Sequence, residues 1–344
     1  MKRILIISPM PPLIGGVSVS SKRLYDNLKN DGYDVDVYNV KFKNTIFNRP
    51  IFIFLKFLII PIYIIAHKRY DIIHCHVAGD IRKFYIALFK PFFKKAKLFY
   101  TIHGDIKTLL NKKLFLLAMN KADRIICVQN GDSLKLPEKI RHNAVDIPAF
   151  IIPNNIKNIS VPKYILTFLS EKNIPKIIMN GSIVTSENMY DLYGFEDTVS
   201  LFFRLKEMNI NTRLVMIVNG LKRNIEQENL LKKISEQIVN ENNILLVTDE
   251  IFELMPLFQY CDICLRPTKT DGDSLTIREA LSMGCKVIAS DVSARPEGTI
   301  TYHFGDPDNL LEKVIEALDG LKDSNKNKIS TDFYKLIKEQ YENC

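Results

Sequence analysis

Residues 266–291 read Arg266-Pro267-Thr268-Lys269-Thr270-Asp271-Gly272-Asp273-Ser274-Leu275-Thr276-Ile277-Arg278-Glu279-Ala280-Leu281-Ser282-Met283-Gly284-Cys285-Lys286-Val287-Ile288-Ala289-Ser290-Asp291. The apolar run Ile263–Pro267 leads into this stretch, and a second, Lys286–Ala289, closes it. Short apolar runs of this kind read as buried strands. Between them Gly272 and Ser274 open a helix, with Asp271 and Asp273 near its N-terminus, where the helix dipole favours negative charge, and Glu279 one to two turns on. Strand, turn, helix, strand is the repeating unit of a parallel sheet. An acidic group just outside a phosphate-binding turn can read sugar hydroxyls, and a second can read a ribose.

The same alternation runs outward in both directions. Strand-like runs recur at Ile4–Ser8, Val35–Tyr38, Ile72–His76, Leu98–His103 and Arg124–Val128, and again at Lys176–Met179, Arg213–Val218, Asn243–Val247, Ile263–Pro267 and Lys286–Ala289, with helix-like segments between. Runs apolar on both faces predict an α/β protein with doubly wound parallel sheets. The series restarts near residue 176, and 344 residues suffice for two domains. Polar residues 156–163, with Pro162, predict a linker that could act as a hinge. The expected division is therefore 1–162 and 163–330. The segment after it reads as an amphipathic helix with Phe333, Leu336, Ile337 and Tyr341 on one face. Two Rossmann-like domains of this kind would face a central cleft lined by the loops after their strands.

At the N-terminus, Ile4–Ser8 is too short an apolar run for a secretory leader and reads as a first strand. It leads to Gly15-Gly16, after which Val17, Leu24 and Leu28 recur with Arg and Lys opposite them until Gly32. Backbone N–H groups without a Cβ nearby, at a helix N-terminus, can approach a diphosphate closely. A pair of glycines alone is more often an ordinary turn.

Charge is uneven along the chain. Residues 1–150 hold 25 Lys and Arg against 11 Asp and Glu, a net +14, whereas the other 22 basic and 28 acidic residues give −6. Such a first half favours an anionic surface as partner. Residues 51–66 are almost wholly apolar, too short for a spanning helix and interrupted by Lys56 and Pro61. A second run, Phe84 to Phe99, mixes aromatic and aliphatic residues with Lys90, Lys94, Lys95 and Lys97, the make-up of a helix lying in a lipid interface. This predicts a peripheral protein on the inner face of the cytoplasmic membrane and argues against nucleic acid; the alternative is that 51–66 is an ordinary core helix. Four of the six cysteines sit in apolar runs, as expected of buried thiols in a reducing compartment, and no ligand spacing for a metal accompanies Cys261 and Cys264.

Asp271 through Asp291 resembles the donor-site segment of family 4 glycosyltransferases, whose pattern is Glu, seven residues, Glu, with Asp271 here in the first position and Glu279 in the second. Further matches in order are Gly15-Gly16, Tyr70–His76, Thr101-Ile102-His103-Gly104 and Ile152-Pro153-Asn154-Asn155, so the resemblance covers nearly the whole chain. It implies the GT-B architecture, with the C-terminal helix crossing back to the N-terminal domain. It implies a retaining, metal-independent hexosyltransferase that needs no cofactor and uses a nucleoside diphosphate sugar, UDP-linked by expectation. By similarity Gly15 and Gly16 would meet the diphosphate and His103 the donor sugar near its reacting carbon. Asp271 would meet the transferred sugar, Gly272, Asp273, Ser274 and Leu275 would supply backbone contacts to phosphate and sugar, and Glu279 would hold the ribose.

One departure stands out. The family places an Arg and a Lys after the first strand of the second domain to neutralise the leaving diphosphate, and this chain has Gly181-Ser182 and Tyr193-Gly194 there. Arg266, Lys269 and Lys222 are the substitutes expected from sequence, in that order. The acceptor implied is a lipid-linked or membrane-proximal saccharide, as in bacterial surface-polysaccharide synthesis. A nucleotide-sugar 2-epimerase of the same fold and a catalytically silent homologue are the competing readings.

Overall fold

The computed structural model describes residues 2–11, 15–40, 59–66, 70–93, 95–104, 106–184, 191–220, 224–249, 251–321 and 331–344. The chain forms two compact units, Met1–Asn154 with Asp332–Cys344, and Asn155–Thr331. Residues 156–163, expected as a linker, lie within the second unit: Ile156–Asn158 forms a 3-10 turn against Met255–Phe258, and Val161 packs on the core beside it.

The first unit is built on six parallel strands, β1 (Arg3–Ser8), β2 (Asp34–Asn39), β3 (Ile72–Cys75), β4 (Lys97–Ile102), β5 (Arg124–Cys127) and β6 (Ala144–Asp146), in the order β2-β1-β3-β4-β5-β6. Successive side chains of a strand point to opposite faces. Leu5 and Ile7 accordingly enter one core with Ile73, Leu98 and Tyr100, while Ile4 and Ile6 enter another with Ile72, Phe99 and Ile126. With a core on each side, the inner strands β1, β3, β4 and β5 are largely apolar, whereas the edge strand β2 alternates Asp34 and Asp36 with Val35 and Val37.

The second unit repeats the plan with β7 (Lys176–Ser182), β8 (Arg213–Asn219), β9 (Ile244–Val247), β10 (Ile263–Arg266), β11 (Lys286–Ser290) and β12 (Thr299–Tyr302), in the order β12-β11-β10-β7-β8-β9, again all parallel. Ile177, Met179 and Leu265 face one core and Ile178, Cys264 and Val287 the other. Each sheet has one strand more than the sequence reading anticipates. The additions, β6 and β12, are short edge strands whose residues are mostly half-buried, so neither shows a sustained apolar run.

The C-terminal helix, Tyr334–Glu342, belongs to the first unit. Its buried residues are Tyr334, Ile337 and Tyr341, packed against the Ile4 and Ile6 face. Leu336, assigned to the apolar face from sequence, is 38% exposed, because it lies about 200° around the helix from Tyr334. Lys2 Nζ donates to the Tyr341 and Cys344 carbonyls at 2.6 and 2.8 Å, and Lys338 and Tyr334 both bind Asp31.

Two further expectations need correction. Phe84 to Phe99 is not one interfacial helix: it comprises the end of helix Asp80–Leu88, a 3-10 turn at Lys90–Phe93, and the start of β4, whose Leu98 and Phe99 are fully buried in the sheet. Arg23, placed on the solvent side of helix Gly16–Asn30, is only 2% exposed, and its Nη1 donates to the Ile151 carbonyl at 3.0 Å. Of the apolar run 51–66, residues 59–66 are helical, burying Ile60 and Ile64 and exposing Ile59 and Ile62; 51–58 lie outside the described residues. No helix among the described residues is long and apolar enough to cross a membrane.

Candidate active site

In each sheet the strand order reverses once, between β1 and β3 in the first unit and between β7 and β10 in the second. Ligands of open α/β sheets bind at the carboxyl ends of the strands at such a reversal. Gly15 and Gly16 follow β1, and 266–275 lie at the end of β10 and beyond, on strands that flank these reversals; His103 follows β4, one strand further along. A depression of about 410 Å³ lined by Asn209–Thr212 and Asn240–Asn243 lies before the amino ends of β8 and β9, the opposite edge.

In the first unit Gly15 precedes helix Gly16–Asn30, and a Cβ on either glycine would meet nothing within 4 Å. The extended φ of Gly15, 172°, is open to any residue. Neither packing among the described residues nor Gly15's backbone therefore demands glycine here. Pro12, Leu13 and Ile14 lie outside the described residues.

His103 Nε2 lies 3.0 Å from His76 Nδ1, and the His76 ring is 4.1 Å from that of His74, centre to centre. His74 in turn bonds the Tyr341 hydroxyl and, at 2.7 Å, Thr101 Oγ1. Burial and the neighbouring positive charge of Lys83 lower His103 to about 4; burial, then His103, lowers His74 to about 3, and His76 is pushed well below its ordinary value by burial and both neighbours. All three are neutral imidazoles at pH 7. Nε2 of His76 is buried with no hydrogen-bond partner among the described residues. Lys83 escapes the sequence reading: it is 4% exposed, donates to the Val77 carbonyl at 2.6 Å, and is lowered to about 8 by burial.

In the second unit the helix Leu275–Met283 is capped by Ser274 and stopped by Gly284 in the left-handed region, φ 85°. Ser274 makes no side-chain cap bond, and its buried Oγ has no partner among the described residues. Glu279 is 4% exposed, and Ser282 Oγ bonds its carbonyl at 2.7 Å. Asp273 pairs with Arg278 at 2.7 Å.

Asp271 is the focus of a charged cluster in this unit. Arg266 Nε and Nη2 grip its two carboxylate oxygens at 3.0 and 3.1 Å, and Arg295 Nη1 reaches Oδ2 at 2.9 Å. Burial would raise the Asp271 carboxyl, but Arg266 and then Arg295 outweigh it and hold it below its ordinary range. Arg266 Nη1 also donates to the Asn180 carbonyl at 3.3 Å, and its guanidinium stands over the Tyr193 ring at 4.6 Å. Gly181 makes that possible, since a Cβ there would lie 2.6 Å from Tyr193 Cγ. Gly194, φ 75°, has no room for a Cβ against the Pro267 carbonyl. Asn180 Oδ1 is a second buried polar atom without a partner among the described residues. Lys269 lies near Asp197, whose carboxyl its charge pulls down against a larger upward effect of burial. Lys222 falls outside the described residues. Arg295 is absent from the sequence-based set because its loop after β11 carries no periodic or motif signal.

A buried cluster of two arginines and a carboxylate, with orphaned polar atoms beside it, at a strand-order reversal of a doubly wound sheet has the make-up of a ligand site. Residues 14–136 match the family model described as Glycosyltransferase Family 4, and residues 180–320 match that of Glycosyl transferases group 1. Over its full length the chain is similar in structure to a glycosyltransferase from Rickettsia africae (18% identity, TM-score 0.66, 99% of this chain and 92% of that one). It is also similar to the catalytic domain of starch synthase IV from Arabidopsis thaliana bound to ADP and acarbose (12%, 0.71, 100% and 99%), and to Anabaena HepE in complex with UDP and glucose (12%, 0.62, 99% and 96%). A search of curated proteins finds no match. The chain is a glycosyltransferase of the GT-B fold. Its family type is that of glycosyltransferase family 4.

Proposed function

We propose that this enzyme moves a hexose from a nucleoside diphosphate sugar, UDP-linked, to a lipid-linked or membrane-proximal saccharide, with retention at the anomeric carbon, in the assembly of a surface polysaccharide. The observation that carries the donor half is the convergence of Arg266 and Arg295 on Asp271 at the reversal between β7 and β10, beside a helix N-terminus whose cap residue, Ser274, makes no side-chain cap bond. A helix N-terminus and guanidinium forks both suit phosphate oxygens.

In this reading the backbone of Gly272, Asp273, Ser274 and Leu275 faces phosphate and sugar, Glu279 accepts from the ribose hydroxyls, and Gly15 and Gly16 leave room for the diphosphate. His103, held neutral, meets the sugar. The bond between the anomeric carbon and the phosphate oxygen breaks with its electron pair going to phosphate. The acceptor oxygen bonds to that carbon, and its proton passes to the departing phosphate. Positive charge for the leaving group is assigned to guanidinium groups in place of a divalent metal.

The membrane half is supported by the +14 of residues 1–150 and by exposed apolar side chains, Ile62, Ile81, Phe92 and Leu117, on elements that cover the same face of the first sheet. A peripheral position on the cytoplasmic leaflet follows from basic and apolar residues together.

The test is a thermal-shift panel of nucleoside diphosphates and their sugars on the wild type and Glu279→Ala, followed by product analysis with and without saccharide acceptors. Stabilisation by one nucleotide, lost in the variant, supports the donor site. Turnover to a new sugar nucleotide with no acceptor present would replace transfer by epimerisation.

A further inference from the structure

We propose that Arg295 and Arg266 together are the cation pair that receives the leaving diphosphate, and that Asp271 is a built-in counter-ion whose place the diphosphate takes. The inference rests on the donor-site reading above and adds to it a residue, Arg295, and a second role for Asp271.

Four observations carry it. First, Ser182 and Tyr193 stand where a cation pair is expected, yet the place is not without charge: the Arg266 guanidinium lies over the Tyr193 ring, on a platform that Gly181 alone permits. Second, Arg295 is aimed. Its side chain is 3% exposed, Nε and Nη2 are fixed by the Ser290 carbonyl and hydroxyl at 2.9 and 3.2 Å, and Ser290 Oγ is itself anchored on the Thr268 carbonyl at 2.6 Å. Nη1 is thereby directed at Asp271.

Third, two buried guanidinium groups share the single carboxylate of Asp271, so these three side chains taken by themselves carry one positive charge in excess. An excess charge of this kind is costly to bury unless an anion completes it. Fourth, Asn180 Oδ1 and Ser274 Oγ, in the strand and cap adjoining this cluster, are buried without partners among the described residues. A sugar diphosphate brings both the missing anion and hydroxyl and phosphate groups for the orphaned atoms.

Carboxylate and phosphate compete for the same planar fork. When the diphosphate arrives it takes N–H groups that Asp271 holds, and the carboxylate so released turns to a sugar hydroxyl. As the anomeric carbon–oxygen bond breaks, the phosphate gains one further negative charge, which the two arginines then face without a competing anion.

Calorimetric titration of matched mono- and diphosphates (UMP and UDP, GMP and GDP, AMP and ADP) against wild type, Arg295→Gln, Arg295→Lys and Asp271→Asn tests this. In Arg295→Gln the preference for diphosphate over monophosphate falls ~10- to 100-fold while monophosphate affinity holds. Arg295→Lys keeps part of the preference. Asp271→Asn binds diphosphate more tightly than wild type, the reverse of what loss of a purely structural ion pair would do. An unchanged preference in folded Arg295→Gln, or weaker diphosphate binding by Asp271→Asn, overturns the proposal alone. If Arg295→Gln does not fold, Arg295→Lys and Asp271→Asn decide. A wild type that binds none of the six overturns the donor-site reading, and this inference falls with it.

Discussion

His76 Nδ1 sits 3.0 Å from His103 Nε2, so the imidazole expected to meet the donor sugar is oriented by a second imidazole whose other nitrogen is buried without a partner among the described residues. Their protonation is linked to stability. Unfolded histidines take up protons as pH falls through ~6.5, whereas burial keeps His74 neutral to about 3 and His76 well below its ordinary value. The unfolded state then binds more protons, so the stabilisation is complete above pH ~6.5 and is lost progressively below it. At pH 5 the loss is about 2 kcal/mol for His74, and His76 adds to it in the same direction. Chemical denaturation at pH 7.5 and pH 5 measures it; equal stability at the two values would refute neutral burial of these rings.

Tyr193 and Gly181 test the platform under Arg266. A Cβ on Gly181 must displace the ring, and overpacking of this kind costs about 1–3 kcal/mol. Gly181→Ala should lower stability by that amount. Tyr193→Ala in the same chain should recover part of it, giving a favourable coupling in a double-mutant cycle.

Ser274 should behave unlike most helix caps. Loss of a bonded Ser cap typically costs ~1 kcal/mol. Here the hydroxyl is buried and makes no cap bond, so Ser274→Ala should leave stability unchanged or raise it by up to about 1 kcal/mol. Affinity for the donor nucleotide should fall. A destabilised variant with full affinity would mean that the hydroxyl serves the fold.

The exposed apolar residues of the first unit should matter to vesicles and little to folding. Ile62, Ile81 and Phe92 are 65%, 63% and 68% exposed. Replacing all three by Ser should reduce salt-sensitive binding to phosphatidylglycerol vesicles and shift stability by no more than about 0.5 kcal/mol per site. Undiminished binding would remove these side chains from the docking surface.

What sequence reveals here depends on how local each signal is. The helix Leu275–Met283 is legible because its start, its stop at Gly284 and its flanking strands lie within one stretch. Arg295 is not, since it meets Asp271 from 24 residues away, through the pairing of β10 with β11. Tyr193 and Arg266 likewise come together only because β7 and β10 are neighbours. The run Phe84–Phe99 misleads for a related reason: hydrophobicity alone does not mark where a helix ends and a strand such as Leu98-Phe99-Tyr100 begins, when both enter the same core. Arg23 is misplaced because a long polar side chain can be buried when a carbonyl, that of Ile151, waits for it.

The packing of Tyr334, Ile337 and Tyr341 on Ile4 and Ile6 reverses the usual relation between synthesis and folding. A growing polypeptide generally folds from its N-terminal domain onward. On the ribosome, however, this sheet emerges early and its cover emerges after the whole of Asn155–Thr331. Leu24 and Leu28 of helix Gly16–Asn30 can cover part of the sheet's apolar face from the start, but the share taken by Tyr334, Ile337 and Tyr341 stays open while the second unit is made. A chain truncated before residue 332 and released from the ribosome should therefore keep a protease-resistant second unit and a first unit that is cut more readily than in the full chain.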